Sequence, residues 1–494
     1  MIGPIKNIEI PLQYKLKIAQ SVDKNKPNVY CIFYRIEVIV NLVQNSNRAM
    51  KTIQSTLIIS LLLILLSGFR GMAQEKTWTL EECINYALDK NIQIQKADLS
   101  EDRNQLYFDQ AQANRLPSVN GSVRQNFNWY KGFDSTTGSY GSSSGSNSTN
   151  YSLNSSISLF NGQKLTNKIK QADLNLQSGH FYSESVKESV GLNIVNAYLQ
   201  VLYANENVSN AEKQIEATTS QLALAKERMD LGVISMSDYL QIKSELASEK
   251  STLADAKNQL SINKVTLMQL MELPVDPNFN ITSPNLDSLL VQEQQPDAQQ
   301  IYNQALGFKP QIKNAELNKE SASLDVQIAK ADAVPSLSMD AGLSSGYSSL
   351  TTDAGYYNQL KNKVNPAVGL SLSIPIFQKK QVKTNVNLAK IGVSDAELTE
   401  IDTRNALRKE IEQACVDEVS AQSKYAASLE ENQATQESYD VANEKYNIGL
   451  INSVDFLFEK IKLITSESKL LQSKFNLIFS DKVIDFYKGI SLML

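Results

Sequence analysis

The sequence predicts an α+β membrane chain in which a helix, strand, strand, helix, helix unit is used twice, giving four strands to a shared transmembrane β-barrel and long helices to an α-helical barrel. Three observations carry this. Two halves of the chain align at an offset of 217 or 218 residues. Four segments alternate apolar and polar side chains over about ten residues each. Two stretches of roughly 60 residues run without proline, far beyond an average globular helix.

The repeat holds in three separated blocks. Leu116-Pro117-Ser118-Val119 returns as Val334-Pro335-Ser336-Leu337, and Ser156-Ile157-Ser158-Leu159-Phe160 as Ser373-Ile374-Pro375-Ile376-Phe377. Leu231-Gly232 through Asp238-Tyr239-Leu240 returns as Ile448-Gly449 through Asp455-Phe456-Leu457. Chance does not give three such matches in order. The two repeats are expected over 75–290 and 291–494.

Each repeat opens with a helix, predicted over 79–114 in the first, where no glycine or proline interrupts. It ends at Leu116-Pro117, because proline disfavours helix in its predecessor. The strands follow. Val119, Gly121, Val123, Phe127 and Trp129 fall on one face of the first, Asn120, Ser122, Arg124, Asn126 and Asn128 on the other. Tyr151, Leu153, Ile157 and Leu159 make the oily face of the second, Leu337, Met339, Ala341 and Leu343 that of the third. Val368, Leu370, Leu372, Ile374 and Ile376 make that of the fourth. An oily face, a wet face and aromatics near the ends suit strands between lipid and a polar lumen; a soluble sheet packed through one face is the alternative. The stretches 132–150 and 348–365 read as long solvated loops. Four strands cannot close in lipid, so copies must share the barrel: two give eight strands, three twelve.

After each strand pair comes a long helix, roughly 165–228 and 382–445. At 1.5 Å per residue each is about 90 Å long. The returning helices carry Leu246, Leu253, Leu260 and Leu267, then Leu463, Leu470, Leu477 and Ile484, spaced by sevens. Such a seam marks coiled-coil packing, and its narrowness suits a curved wall of helices. A long soluble antiparallel coiled coil is the alternative for the helices alone.

Ahead of the repeats, Met50-Lys51, the short apolar run 57–66 and the small residues Gly71 and Ala73 read as a secretory signal peptide over 50–74. Residues 1–49 are then expected to be an upstream extension, with translation starting at Met50. Composition excludes other classes. With 48 Lys+Arg against 53 Asp+Glu and no polybasic stripe, nucleic acid is not an expected partner. One histidine, His180, and three distant cysteines, Cys31, Cys83 and Cys415, leave little for a metal centre, a cofactor or a hydrolase. The chain is expected not to be an enzyme.

The hairpins turn at Gly232 and Gly449, suited to the left-handed position that ends a helix. Ser235 with Asp238, and Asn452 with Asp455, then have capping-box spacing. These aspartates are expected as helix caps, or as a charged ring at the inner end of a pore, or both.

The turn at 231–240, its copy at 448–457, the Leu-Pro-Ser-Val and Val-Pro-Ser-Leu junctions, and the strand ends Ser-Leu-Phe-Asn-Gly and Pro-Ile-Phe resemble the TolC-like outer-membrane efflux proteins over roughly residues 77–490. The resemblance implies a homotrimer with a twelve-stranded barrel in the outer-membrane lipid of a Gram-negative bacterium. It implies a helical tunnel through the periplasm, and docking to a periplasmic adaptor (membrane fusion) protein and an inner-membrane pump. The function it implies is the passive channel of a tripartite efflux or type I secretion system; a periplasmic coiled-coil adaptor or structural protein is the alternative. It further implies a gate at the hairpin tips, with Tyr446 at the latch tyrosine, Asp238 as its acidic partner and Asp455 at a constriction aspartate. Ile451 and Phe458 stand where the family pattern has an arginine and a second aspartate, so an apolar constriction that closes by dewetting is the alternative to a charged latch.

Overall fold

The computed structural model describes residues 77–284, 296–351 and 355–490. The predicted signal peptide and extension, and the boundary between the repeats, lie outside the described residues.

The first half runs β1 (Thr77–Trp78), α1 (Leu80–Lys90), α2 (Ile92–Ala113), β2 (Ser118–Tyr130), β3 (Phe133–Asp134), β4 (Ser139–Tyr140), β5 (Ser144–Phe160), α3 (Lys164–Asp230), α4 (Met236–Leu270) and β6 (Asn280–Ile281). The second runs α5 (Ala298–Phe308), α6 (Pro310–Ala331), β7 (Ser336–Ser348), α7 (Tyr356–Asn362), β8 (Asn365–Ser373), α8 (Gln381–Asn447) and α9 (Ser453–Lys488). Helices of 11, 22 and 67 residues occur once in each half, in that order.

The expected single helix over 79–114 is two helices. Asn91 is extended, its Oδ1 accepts the Gln93 N–H at 2.8 Å, and its Nδ2 donates to the Leu270 carbonyl at 2.9 Å. An asparagine that caps the helix after it offers the backbone an alternative to helix continuation. The helix in the second half breaks at Lys309, before Pro310, which suits the first helical position.

Strands β2, β5, β7 and β8 form one antiparallel sheet in that order, open at β2 and β8. The second strand starts earlier than expected, at Ser144, because Gln125, Asn126 and Phe127 of β2 continue the ladder against Thr149, Ser148 and Asn147. The remaining loop holds the β3–β4 hairpin, and the loop after β7 holds α7. The fourth strand stops at Ser373, short of Ile374 and Ile376, where Pro375 has no N–H for a ladder. Within one chain the barrel is therefore an open sheet. Among the described residues no core lies against its oily face: Trp129 is 74% exposed and Val123, Val368, Leu370 and Leu372 are exposed as well. The alternative of a soluble sheet packed on a core through that face is thus not met.

The helices pack as two antiparallel hairpins, α3 with α4 and α8 with α9. Two apolar cores join them to the shorter helices, and a third lies at their tips. One gathers Cys83, Ile94, Ile194, Tyr198, Leu267 and Phe475, where β1 pairs with β6 and the Tyr198 hydroxyl donates to the Thr282 carbonyl at 2.6 Å. The other gathers Ile301, Ile312, Leu407, Ile411, Ile484 and Tyr487. Of the heptad leucines, Leu246, Leu267, Leu463 and Ile484 are buried, and the rest half-buried. The serines between them are part of the seam: Ser466 is buried, and its hydroxyl meets that of Thr435 at 2.6 Å.

The candidate aperture at the hairpin tips

Both long helices end by the same rule. Gly232 and Gly449 have φ of 75° and 76°, a conformation that costs residues with a Cβ. In each turn the glycine N–H reaches back to the carbonyl three residues earlier, Met229 or Tyr446, and the next N–H reaches Arg228 or Lys445 at 2.8 Å. This Schellman arrangement satisfies carbonyls that the helix end would orphan.

The returning helices start differently in the two halves. Ser235 Oγ accepts the Asp238 N–H at 3.1 Å while Asp238 Oδ2 accepts the Ser235 N–H at 3.1 Å, a reciprocal capping box. Asn452 Oδ1 accepts the Asp455 N–H at 2.9 Å, and α9 is capped by that bond alone. The equal boxes expected from spacing are thus one box and one simple cap. The Asp455 carboxylate is left exposed.

Asp238 does more than cap. The Ser235 hydroxyl donates to its Oδ2 at 2.6 Å, and the Ser453 hydroxyl, from the other hairpin, donates to its Oδ1 at 2.5 Å. Ser453 is buried and also meets the Gln241 side chain. Hydroxyl donors to the charged form, first from Ser235 and then from Ser453, hold this carboxyl below the usual carboxylate range. A second tie runs from Arg228 Nη2 to the Asn447 carbonyl at 3.1 Å. Two residues outside the expected set, Ser453 and Arg228, therefore join the tips.

Tyr446 is buried and stacks on Phe456, ring centroids 4.7 Å apart and planes 16° apart, in a cluster with Ala225 and Ile242. Its hydroxyl has no hydrogen-bond partner among the described residues. Burial pushes its pKa up, and the negative charge of Asp238 adds to this. Tyr446 and Asp238 are electrostatic neighbours within one chain, not hydrogen-bonded partners. Ile451 packs half-buried against the same cluster, whereas Phe458 is exposed with the Lys462 ammonium 4.2 Å from its ring centroid. The two residues expected to form an apolar constriction thus present different surfaces. His180 stays on the surface, its Nδ1 3.1 Å from Glu101 Oε1.

Further along the hairpins lies a buried ion pair that sequence reading missed. Lys460 of α9, 2% exposed, donates to Glu249 Oε1 of α4 at 2.7 Å and to Thr218 Oγ1 of α3 at 2.5 Å. The available signal was its place on an apolar face: Lys460 falls between Phe456 and Leu463, and Glu249 follows Ile242 and Leu246. Among the described residues no helix is long and apolar enough to cross a membrane.

Comparison with known proteins agrees with this architecture. The outer membrane efflux protein family matches residues 83–272 and 301–477. Outer membrane protein TolC of Escherichia coli (strain K12) is 23% identical over 430 residues, 84% of this chain and 82% of that one. Toxin and drug export protein A of Aggregatibacter actinomycetemcomitans is 21% identical over 411 residues, 82% of this chain and 85% of that one. The crystal structure of the Campylobacter jejuni CmeC outer membrane channel superposes with a TM-score of 0.69 at 20% identity, covering 83% of this chain and 85% of that one. The chain belongs to the outer membrane efflux protein family: it is a passive channel of a Gram-negative outer membrane that extends into the periplasm, and not an enzyme.

Proposed function

We propose that three copies of this outer-membrane efflux protein close one twelve-stranded barrel and one helical tunnel, serving a tripartite efflux or type I secretion system. The observation that carries the reading is a sheet with two open edges whose oily face is exposed along most of its length among the described residues. Because β2 and β8 run in opposite directions in an alternating sheet, β8 of one copy meets β2 of the next antiparallel. Every junction around the ring then has the same sense, which closure in lipid requires.

The flanking helices support the same joint. On α2, which leads into β2, Ile92, Leu99 and Leu106 are exposed at heptad spacing; on α8, which follows β8, Leu388, Ile391 and Leu398 are exposed. These stripes lie on the two sides that the closing strands bring together. The repeated helix lengths support a duplicated unit, so a trimer carries six similar hairpins around one pore. Its inner end is the aperture, formed by Asp238, Tyr446, Ile451, Asp455 and Phe458 near the turns at Gly232 and Gly449. There a periplasmic adaptor and an inner-membrane pump deliver cargo.

The halves divide the work at the tip: Ser453 ties to Asp238 where the first half has Met236, and Tyr446 fills the cluster where the first half has Met229. The test is the mass of the detergent-purified protein together with its mobility on unheated gels. A trimer that Leu99→Asp with Leu398→Asp dissociates supports the reading; a monomeric or dimeric native protein refutes it.

A further inference from the structure

The sheet breaks its own alternation toward the end remote from the long helices. Gln125, Thr149 and Ser345 are polar, yet they share the parity of Val123, Leu153 and Leu343 on the oily face. In lipid such groups need partners. Gln125 and Thr149 hydrogen-bond each other, and Thr149 is buried. Helix α7 covers the rest of the notch: the Ser345 hydroxyl donates to the Leu360 carbonyl at 2.6 Å, and the hydroxyls of Tyr151 and Tyr356 lie 2.8 Å apart.

The attachment is firm. Gln359, 2% exposed, accepts the Ser348 N–H at 3.0 Å and donates to the Ser348 and Thr351 carbonyls, each at 3.1 Å. A loop folded inward to plug a lumen would lie over the opposite parity, against Ser152, Asn154 and Ser344. Instead α7 sits on the oily face, level with Val123 and Gln125 of β2. Beyond Leu343 the oily face of β7 carries Ser345 and then Tyr347, whose ring centroid lies 4.9 Å from that of Tyr356, while β2 carries Phe127 and Trp129 on that face. Helix α7 thus packs on the part of this face where β7 is polar or aromatic. Away from the sheet it presents Tyr357, 86% exposed, and Lys361, also exposed. A tyrosine and a lysine together are the side chains that favour a membrane's interfacial layer.

We propose that α7 is a membrane-interface anchor lying on the lipid side of the sheet, with Tyr357 at the headgroup boundary and Lys361 on lipid phosphates. This rests on the reading that the oily sheet face meets lipid. The full chain, carrying Cys31→Ser and Tyr357→Cys, is spin-labelled and reconstituted into vesicles of phosphatidylglycerol and phosphatidylcholine; Cys83 and Cys415 are buried. Relaxation by oxygen, which partitions into lipid, is compared with relaxation by an aqueous nickel chelate. The oxygen-to-nickel ratio at 357 is expected several-fold above that of a label at Thr137→Cys in the β3–β4 turn, and Lys361→Glu is expected to lower it.

A ratio at 357 equal to that at 137 overturns the anchor. A label at Leu370→Cys separates the two readings: lipid exposure at 370 with water at 357 refutes only the placement of α7, whereas water at both refutes the lipid-facing sheet as well. A ratio that Lys361→Glu leaves unchanged overturns the phosphate contact.

Discussion

Replacing Glu249 by leucine strips Lys460 of its counter-charge while keeping it in the wall between the two hairpins. The ammonium would retain only the Thr218 hydroxyl at 2.5 Å, and Glu249 and Lys460 are both more than nine-tenths buried. Removing one partner of a buried ion pair costs about 3 to 5 kcal/mol, because the remaining charge is neither hydrated nor paired. That cost falls on the contact of α9 with α3 and α4, so the hairpins should part locally before the chain unfolds. With tenfold per 1.4 kcal/mol, backbone amides around 245–253 and 456–464 should exchange with deuterium about two to three and a half orders of magnitude faster. Adding Lys460→Met to Glu249→Leu replaces the pair by apolar volume and should restore protection to the native level or above it. Equal exchange in the native protein and the Glu249→Leu variant would refute the reasoning. So would a double variant no better protected than the single one, since the stranded ammonium is then not the source of the loss.

Gly449→Ala should loosen the second tip by about 1 to 2 kcal/mol from the left-handed backbone alone, because a Cβ there meets nothing within 4 Å; exchange at 445–457 reads it, and no change refutes it. The Asp238 carboxyl is depressed in the fold, so its ties contribute above the unfolded pKa of about 3.9 and are lost as pH falls through the lower folded value. Protection of the tip amides should therefore be flat near neutrality and fall only under strong acid, with Ser453→Ala moving the fall to higher pH. Asp455→Ala should reduce cation selectivity in planar bilayers while leaving α9 capped, since only the Asp455 N–H engages Asn452. Unchanged selectivity and conductance would refute a role for the Asp455 carboxylate in the pore, since its side chain makes no cap of its own.

Much of the fold was legible because its determinants are local and periodic. Alternation placed the four strands, proline and glycine placed the ends of the long helices, and the predicted spans of 165–228 and 382–445 match α3 and α8 to within two residues. Asn91 was hidden because its break depends on the Leu270 carbonyl, 179 residues away. Helix α7 was hidden because 348–365 has no apolar periodicity of its own; it is held by Gln359 and by the polar notch in the sheet.

The tips divide in the same way. Sequence alone determined the turn glycines, the start of each returning helix and the aspartates three residues after each cap, since helix ends are governed by neighbours in the chain. Only the tertiary structure decided that Asp238 is a cross-hairpin tie and Asp455 a free carboxylate, that Tyr446 stacks on Phe456, that Ile451 and Phe458 part company, and that Lys460 is buried against Glu249. These depend on which faces of four long helices meet, and a narrow seam of leucines and small residues fixes that register only once the helices are packed together.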